Sequence, residues 1–104
     1  MDTREPPSDW AARYLGELAT QRQLSPHTIA AYRRDLAELA ELAGHSDWAR
    51  LVHADIRRFA GKLHAGGQSA RSIARKLSGW RGFYEWLSHQ TTLAANPVDG
   101  VRAP

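Results

Sequence analysis

A chain of 104 residues with 14 Lys+Arg, 11 Asp+Glu and no cysteine has the length of one small domain, and it excludes disulfide frameworks and thiolate metal sites. No run approaches the ~18–20 apolar residues of a membrane span, and the Met1–Pro7 segment lacks the charged-then-apolar build of a signal peptide, so a soluble, cytoplasmic protein is expected. The net charge of +3 is unevenly spread: residues 1–56 sum to −3, residues 57–84 hold seven basic side chains and no acid, and the remainder sums to −1.

The first predicted element is a helix from Asp9 to about Arg22, following a tail over residues 1–8. Ser8 is placed to cap it, and Trp10, Tyr14, Leu15 and Leu18 recur at helical spacing. Ser25-Pro26 starts the second helix, because serine caps an N-terminus and proline lacks only an N–H that the first turn leaves unbonded. Ile29, Tyr32, Leu36, Leu39 and Ala43 then form one stripe, and Gly44 stops it. Residues 45–50 read as a loop. A third helix runs from about Ala54 to His64 on Ile56, Phe59, Ala60 and Leu63, and Gly66-Gly67 ends it.

Ser69 caps a fourth helix to about His89, whose buried arc is Ile73, Leu77, Trp80, Tyr84 and Leu87. Residues 91–97 read as a short turn and an extended exit, since a residue before proline is pushed out of helical conformation. With no alternating strand pattern, the expected fold is an all-α, compact four-helix domain.

Catalytic chemistry finds little support in these residues. The five histidines are scattered, none pairs at zinc-site spacing, and no metal or cofactor is expected. The three tyrosines lie on apolar stripes, where core packing accounts for them.

Binding is better supported. On the fourth helix Gln68, Arg71, Arg75, Ser78, Gly79 and Gly82 lie opposite the apolar arc, with Ser72, Lys76 and Phe83 along one edge. An arginine pair one turn apart on a small-residue face suits DNA, because a helix fits the major groove and arginine pairs bidentately with guanine or phosphate. On the second helix His27 and Arg34 face away from the stripe, Arg33 lies beside it, and Thr28 sits near the N-terminal turn, whose free N–H groups favour phosphate. Glu38 and Glu41 confine any DNA contact to that helix's first half. Arg57 and Arg58 stand at the start of the third helix, where the helix dipole disfavours positive charge, so each needs a partner or a neighbouring acid. The alternative to DNA is a helical protein-interaction module using Phe83 and Trp86 as its surface.

Three stretches, Leu24–Leu36, Ser69–Leu87 and Asn96-Pro97, resemble in order and spacing the N-terminal core-binding domain of tyrosine recombinases. The Gly100–Pro104 ending is similar to the Xer branch, XerC more than XerD. The resemblance implies a SAM-like four-helix domain over residues 9–98 that forms half of a clamp around duplex DNA, its second and fourth helices in the major groove. It implies residues 99–104 as the start of an interdomain linker, with the catalytic domain absent and this chain non-catalytic. It also implies a duplex recombination site and paired, XerD-like recombinase subunits as partners, in chromosome dimer resolution and related DNA integration. The isolated domain is expected to be a monomer if Phe83 and Trp86 are covered by the first helix and by Trp10. The expected DNA contacts are Arg71, Ser72, Arg75 and Lys76 from the fourth helix and His27, Thr28, Arg33 and Arg34 from the second, joined by Lys62 and Gln68.

Overall fold

The computed structural model describes residues 7–104. Among them the regular elements are helical: α1 (Pro7–Gln21), α2 (Pro26–Ala43), a 3-10 turn at Trp48–Arg50, α3 (His53–Ala65) and α4 (Ala70–Leu87). The chain divides into two units, one through Trp48 and the other from Ala49 to Pro104.

In the first unit α1 packs on α2. The helix begins at Pro7, two residues ahead of the expected Asp9, so Ser8 lies inside α1 and is not its cap. A fixed φ and a dispensable N–H suit proline to a first helical turn, which lets the helix begin there. Tyr14, Leu15 and Leu18 are buried, whereas Trp10 is half-buried with the Arg13 guanidinium 4.9 Å from its ring centre.

The start of α2 is set as its sequence dictates: the Ser25 hydroxyl accepts the Thr28 N–H at 3.2 Å and Pro26 opens the helix. Gly44 closes it at φ 60°, a left-handed conformation that favours glycine, and donates its N–H to the Ala40 carbonyl at 3.0 Å. Ile29, Leu36, Leu39 and Ala43 are buried, while Tyr32 is only half-buried. Asp35 is buried as well, off the apolar stripe. The expected loop at 45–50 instead carries the 3-10 turn, with Trp48 1% exposed.

In the second unit α3 packs on α4. Val52 precedes α3 and offers no capping oxygen, so Asp55 substitutes from inside the first turn: its Oδ2 accepts the Val52 N–H at 2.9 Å. Asp55 also pairs with Arg58 at 3.0 Å, so an acid three residues away offsets Arg58's unfavourable place near the helix start. The backbone hydrogen bond, assisted by Arg58, holds the Asp55 carboxyl below the ordinary carboxylate range against a smaller opposing effect of burial.

A depressed folded-state pKa stabilises the fold above the unfolded value, near 3.9, and that contribution is lost as pH falls through the folded value. Asp55→Asn should therefore be less stable than the wild type at neutral pH, with the gap closing below about pH 4. Denaturation at a series of pH values checks this, and a gap that stayed constant down to pH ~2 would contradict it.

Ser69 caps α4, accepting the Ser72 N–H at 3.1 Å. The helix is continuous through Gly79 and Gly82 and ends at Leu87, two residues short of the expected His89. Its buried set comprises Ile73, Leu77, Trp80, Phe83, Tyr84 and Leu87. The C-terminal exit is tied to α4 by Asn96, which donates from Nδ2 to the Arg81 carbonyl and accepts the Val98 N–H on Oδ1, both at 3.1 Å. The Arg81 guanidinium reaches the Val98 carbonyl at 3.5 Å and the Asp99 carboxylate at 3.6 Å. These bonds seat Val98 and Val101 in the core.

Candidate nucleic-acid interface

The ten expected contact residues fall into two sets, one in each unit. In the first unit His27, Arg33 and Arg34 are exposed at the N-terminal half of α2. Thr28 is half-buried and belongs to the cap: its Oγ1 lies 3.0 Å from Ser25 Oγ, and its N–H donates to the same oxygen. What α2 offers a ligand is therefore chiefly the His27, Arg33 and Arg34 side chains. Beside them a groove of about 460 Å³ is lined mainly by alanine and other apolar residues of α1 and α2, with Arg33 the charged group in its wall.

In the second unit Arg71 and Arg75 are exposed one turn apart at the start of α4, and Ser72 and Lys76 are half-buried at their flank. Lys76 Nζ donates to Gln68 Oε1 at 2.5 Å, so these two expected contacts form one unit. Gln68 is held in turn by its N–H to the Leu63 carbonyl at 3.1 Å, which closes the turn between α3 and α4. Lys62 is exposed in the last turn of α3. The exposed face that remains on the first half of α4 is cationic, and nothing acidic occurs from Arg57 to Tyr84.

The expected Phe83/Trp86 surface is not present. Phe83 is fully buried, its ring 5.4 Å from that of Tyr84 in an edge-to-face arrangement and 5.8 Å from that of the half-buried Trp86. The apolar arc of α4 is wider than the narrow stripe drawn from Ile73, Leu77, Trp80, Tyr84 and Leu87, and it takes in the edge position that Phe83 occupies.

Two of the three tyrosines sit in the core as the stripes place them, and Tyr32 is half-buried. Tyr84 and Tyr14 are buried, and burial, with a lesser push from Tyr32 and against a pull from Arg22, raises the Tyr14 phenol above its ordinary value. In the sequence Asn96 stands out only as an extended residue before Pro97 and as half of the Asn96-Pro97 motif. Its role became visible in hydrogen bonds that no periodicity signals, although an Asn-Pro pair is a recognised turn former.

Residues 11–91 match the family model described as phage integrase, N-terminal SAM-like domain. Over 108 residues the chain is 48% identical to tyrosine recombinase XerC 1 of Ralstonia nicotianae, covering 99% of this chain and 33% of that protein. It is 48% identical to tyrosine recombinase XerC of Ralstonia pickettii over 94% of this chain and 31% of the relative. For tyrosine recombinase XerC of Pseudomonas aeruginosa the identity is 45% over 88% of this chain and 31% of the relative. The chain thus spans about a third of the length of these relatives. No solved structure matches it significantly.

Proposed function

We propose that this chain, which belongs to the phage integrase N-terminal SAM-like domain family, is the DNA-holding domain of a site-specific tyrosine recombinase of the XerC kind. The observation that carries the proposal is the exposed Arg71/Arg75 pair on α4, within a segment of seven basic residues and no acid. An α-helix fits the major groove, and the guanidinium fork pairs with a guanine edge or with a phosphate. In this reading Arg71 and Arg75 make the principal contacts. Ser72 and the Gln68–Lys76 pair steady the same face, and His27, Arg33 and Arg34 of α2 add phosphate contacts with Thr28 and Lys62 at the margin. In this reading the domain binds DNA and does not itself break it.

The similarity to XerC recombinases supports a recombination site as the DNA; paired recombinase subunits, one XerD-like, and chromosome dimer resolution complete the proposed setting. Among the described residues no helix is long and apolar enough to cross a membrane, and the proposed setting is the bacterial cytoplasm. The direct test is residue-level mapping, by amide chemical shifts, of the chain titrated with a short duplex at low salt. Perturbations should concentrate on residues 27–34 and 68–76. Changes confined to other faces, or none at all, would overturn the assignment.

A further inference from the structure

The second unit holds another cationic feature, separate from the exposed face of α4. His53 and Arg57, one turn apart on α3, and Gly100, Val101 and Arg102 of the C-terminal segment line a cleft of about 520 Å³, with Gly61 in its wall. Gly100 has φ 80°, and a Cβ placed there would stand 3.6 Å from the His53 ring carbon Cε1, so the chain passes close to the imidazole. A hydrogen bond of 3.1 Å links His53 Nδ1 to the Asp99 carbonyl. Because a carbonyl only accepts, Nδ1 carries the proton, and Nε2 remains as the second polar atom of the ring.

The acids of this neighbourhood are committed elsewhere: Asp55 to Arg58 and the Val52 N–H, Asp99 to Arg81. Among the described residues Arg57 and Arg102 have no such partner, and both are exposed. Two guanidinium groups brought to one cleft from separate segments give it a positive potential that favours an anion.

We infer that the His53/Arg57/Arg102 cleft is a phosphate-binding site that takes a backbone phosphodiester of the DNA. The inference rests on the DNA-holding function proposed above. Arginine binds phosphate through two parallel N–H donors, and His53 Nε2 supplies a further donor when the ring is protonated. This also gives Arg57 the partner that its place near the start of α3 calls for, as Asp55 does for Arg58. A phosphate contact positions the protein without reading sequence, so this site complements the groove-facing arginines of α4.

The test measures binding of the whole chain to a short duplex between about 50 and 200 mM salt, for the wild type, Arg57→Gln/Arg102→Gln and Arg57→Lys/Arg102→Lys. Loss of one phosphate contact should lower the salt slope by about 0.9 and leave the glutamine variant with a roughly threefold smaller loss of affinity across that range. The lysine variant keeps the charge and should retain the wild-type slope, which separates loss of charge from damage to the fold. A glutamine variant that folds and shows the wild-type slope would overturn the DNA contact at the cleft, while the Arg71→Ala/Arg75→Ala variant measured alongside still reports on DNA holding. Titration with inorganic phosphate alone should shift the Gly100 and Val101 amides in the wild type and not in the glutamine variant. A response to free phosphate, with no effect of the glutamine variant on duplex binding, would assign the site to a free anion and overturn the DNA contact.

Discussion

Phe83→Ala should lower stability by about 3–5 kcal/mol, the range for truncating a buried phenylalanine. The ring is fully buried and sits edge-on to Tyr84, so its removal leaves a cavity and breaks an aromatic pair. In a domain of this size each kcal/mol corresponds to about 4–8 °C, which puts the fall in Tm above about 12 °C. Thermal or urea denaturation measures it. A loss below about 1 kcal/mol would place Phe83 at the surface and restore the protein-interaction reading that its burial removes.

The second large effect concerns binding. Arg71→Ala/Arg75→Ala should weaken association with duplex DNA by at least about tenfold per arginine, because a hydrogen bond to a charged group contributes about 1.5–3 kcal/mol. If both guanidinium groups meet phosphates, the dependence of log K on log salt should become shallower by about two units. If one reads a base edge, the cost appears as about 1–3 kcal/mol at a single base position of the site. Stability should change little, since both side chains are exposed. Unchanged affinity and slope would remove α4 from the interface.

Much of the fold was legible because its signals are local. Ser25-Pro26, Gly44 and Ser69 mark helix ends through hydrogen bonds within four residues, and the stripes of α2, α3 and α4 follow from the helical period. What escaped depends on contacts that spacing does not encode. Trp48 is buried from a three-residue 3-10 turn and Val98 from the C-terminal exit, segments too short or irregular for a period to announce an inward side chain. Phe83 lies at the edge of its helical arc, and only packing decides whether such a position is covered. Asp35 is a charge in a buried position, which the apolar pattern assigns to solvent.

The candidate site divides in the same way. Its basic residues on α3 and α4 were visible as a charge segment, those of α2 only from their place on the helix, and the exposure of Arg71 and Arg75 follows from their place opposite the arc. The Lys76–Gln68 bond, the inclusion of Thr28 in the α2 cap and the convergence of Arg57 with Arg102 required the structure.

The claim that this domain holds DNA through its exposed arginines is tested most directly by the salt dependence of wild-type binding to duplex DNA. Each phosphate contact contributes about −0.9 to the slope of log K against log salt, so the groups assigned here predict a steep slope of several units between about 50 and 200 mM. Binding that ignores salt over that range, or no binding at its low end, would contradict the account.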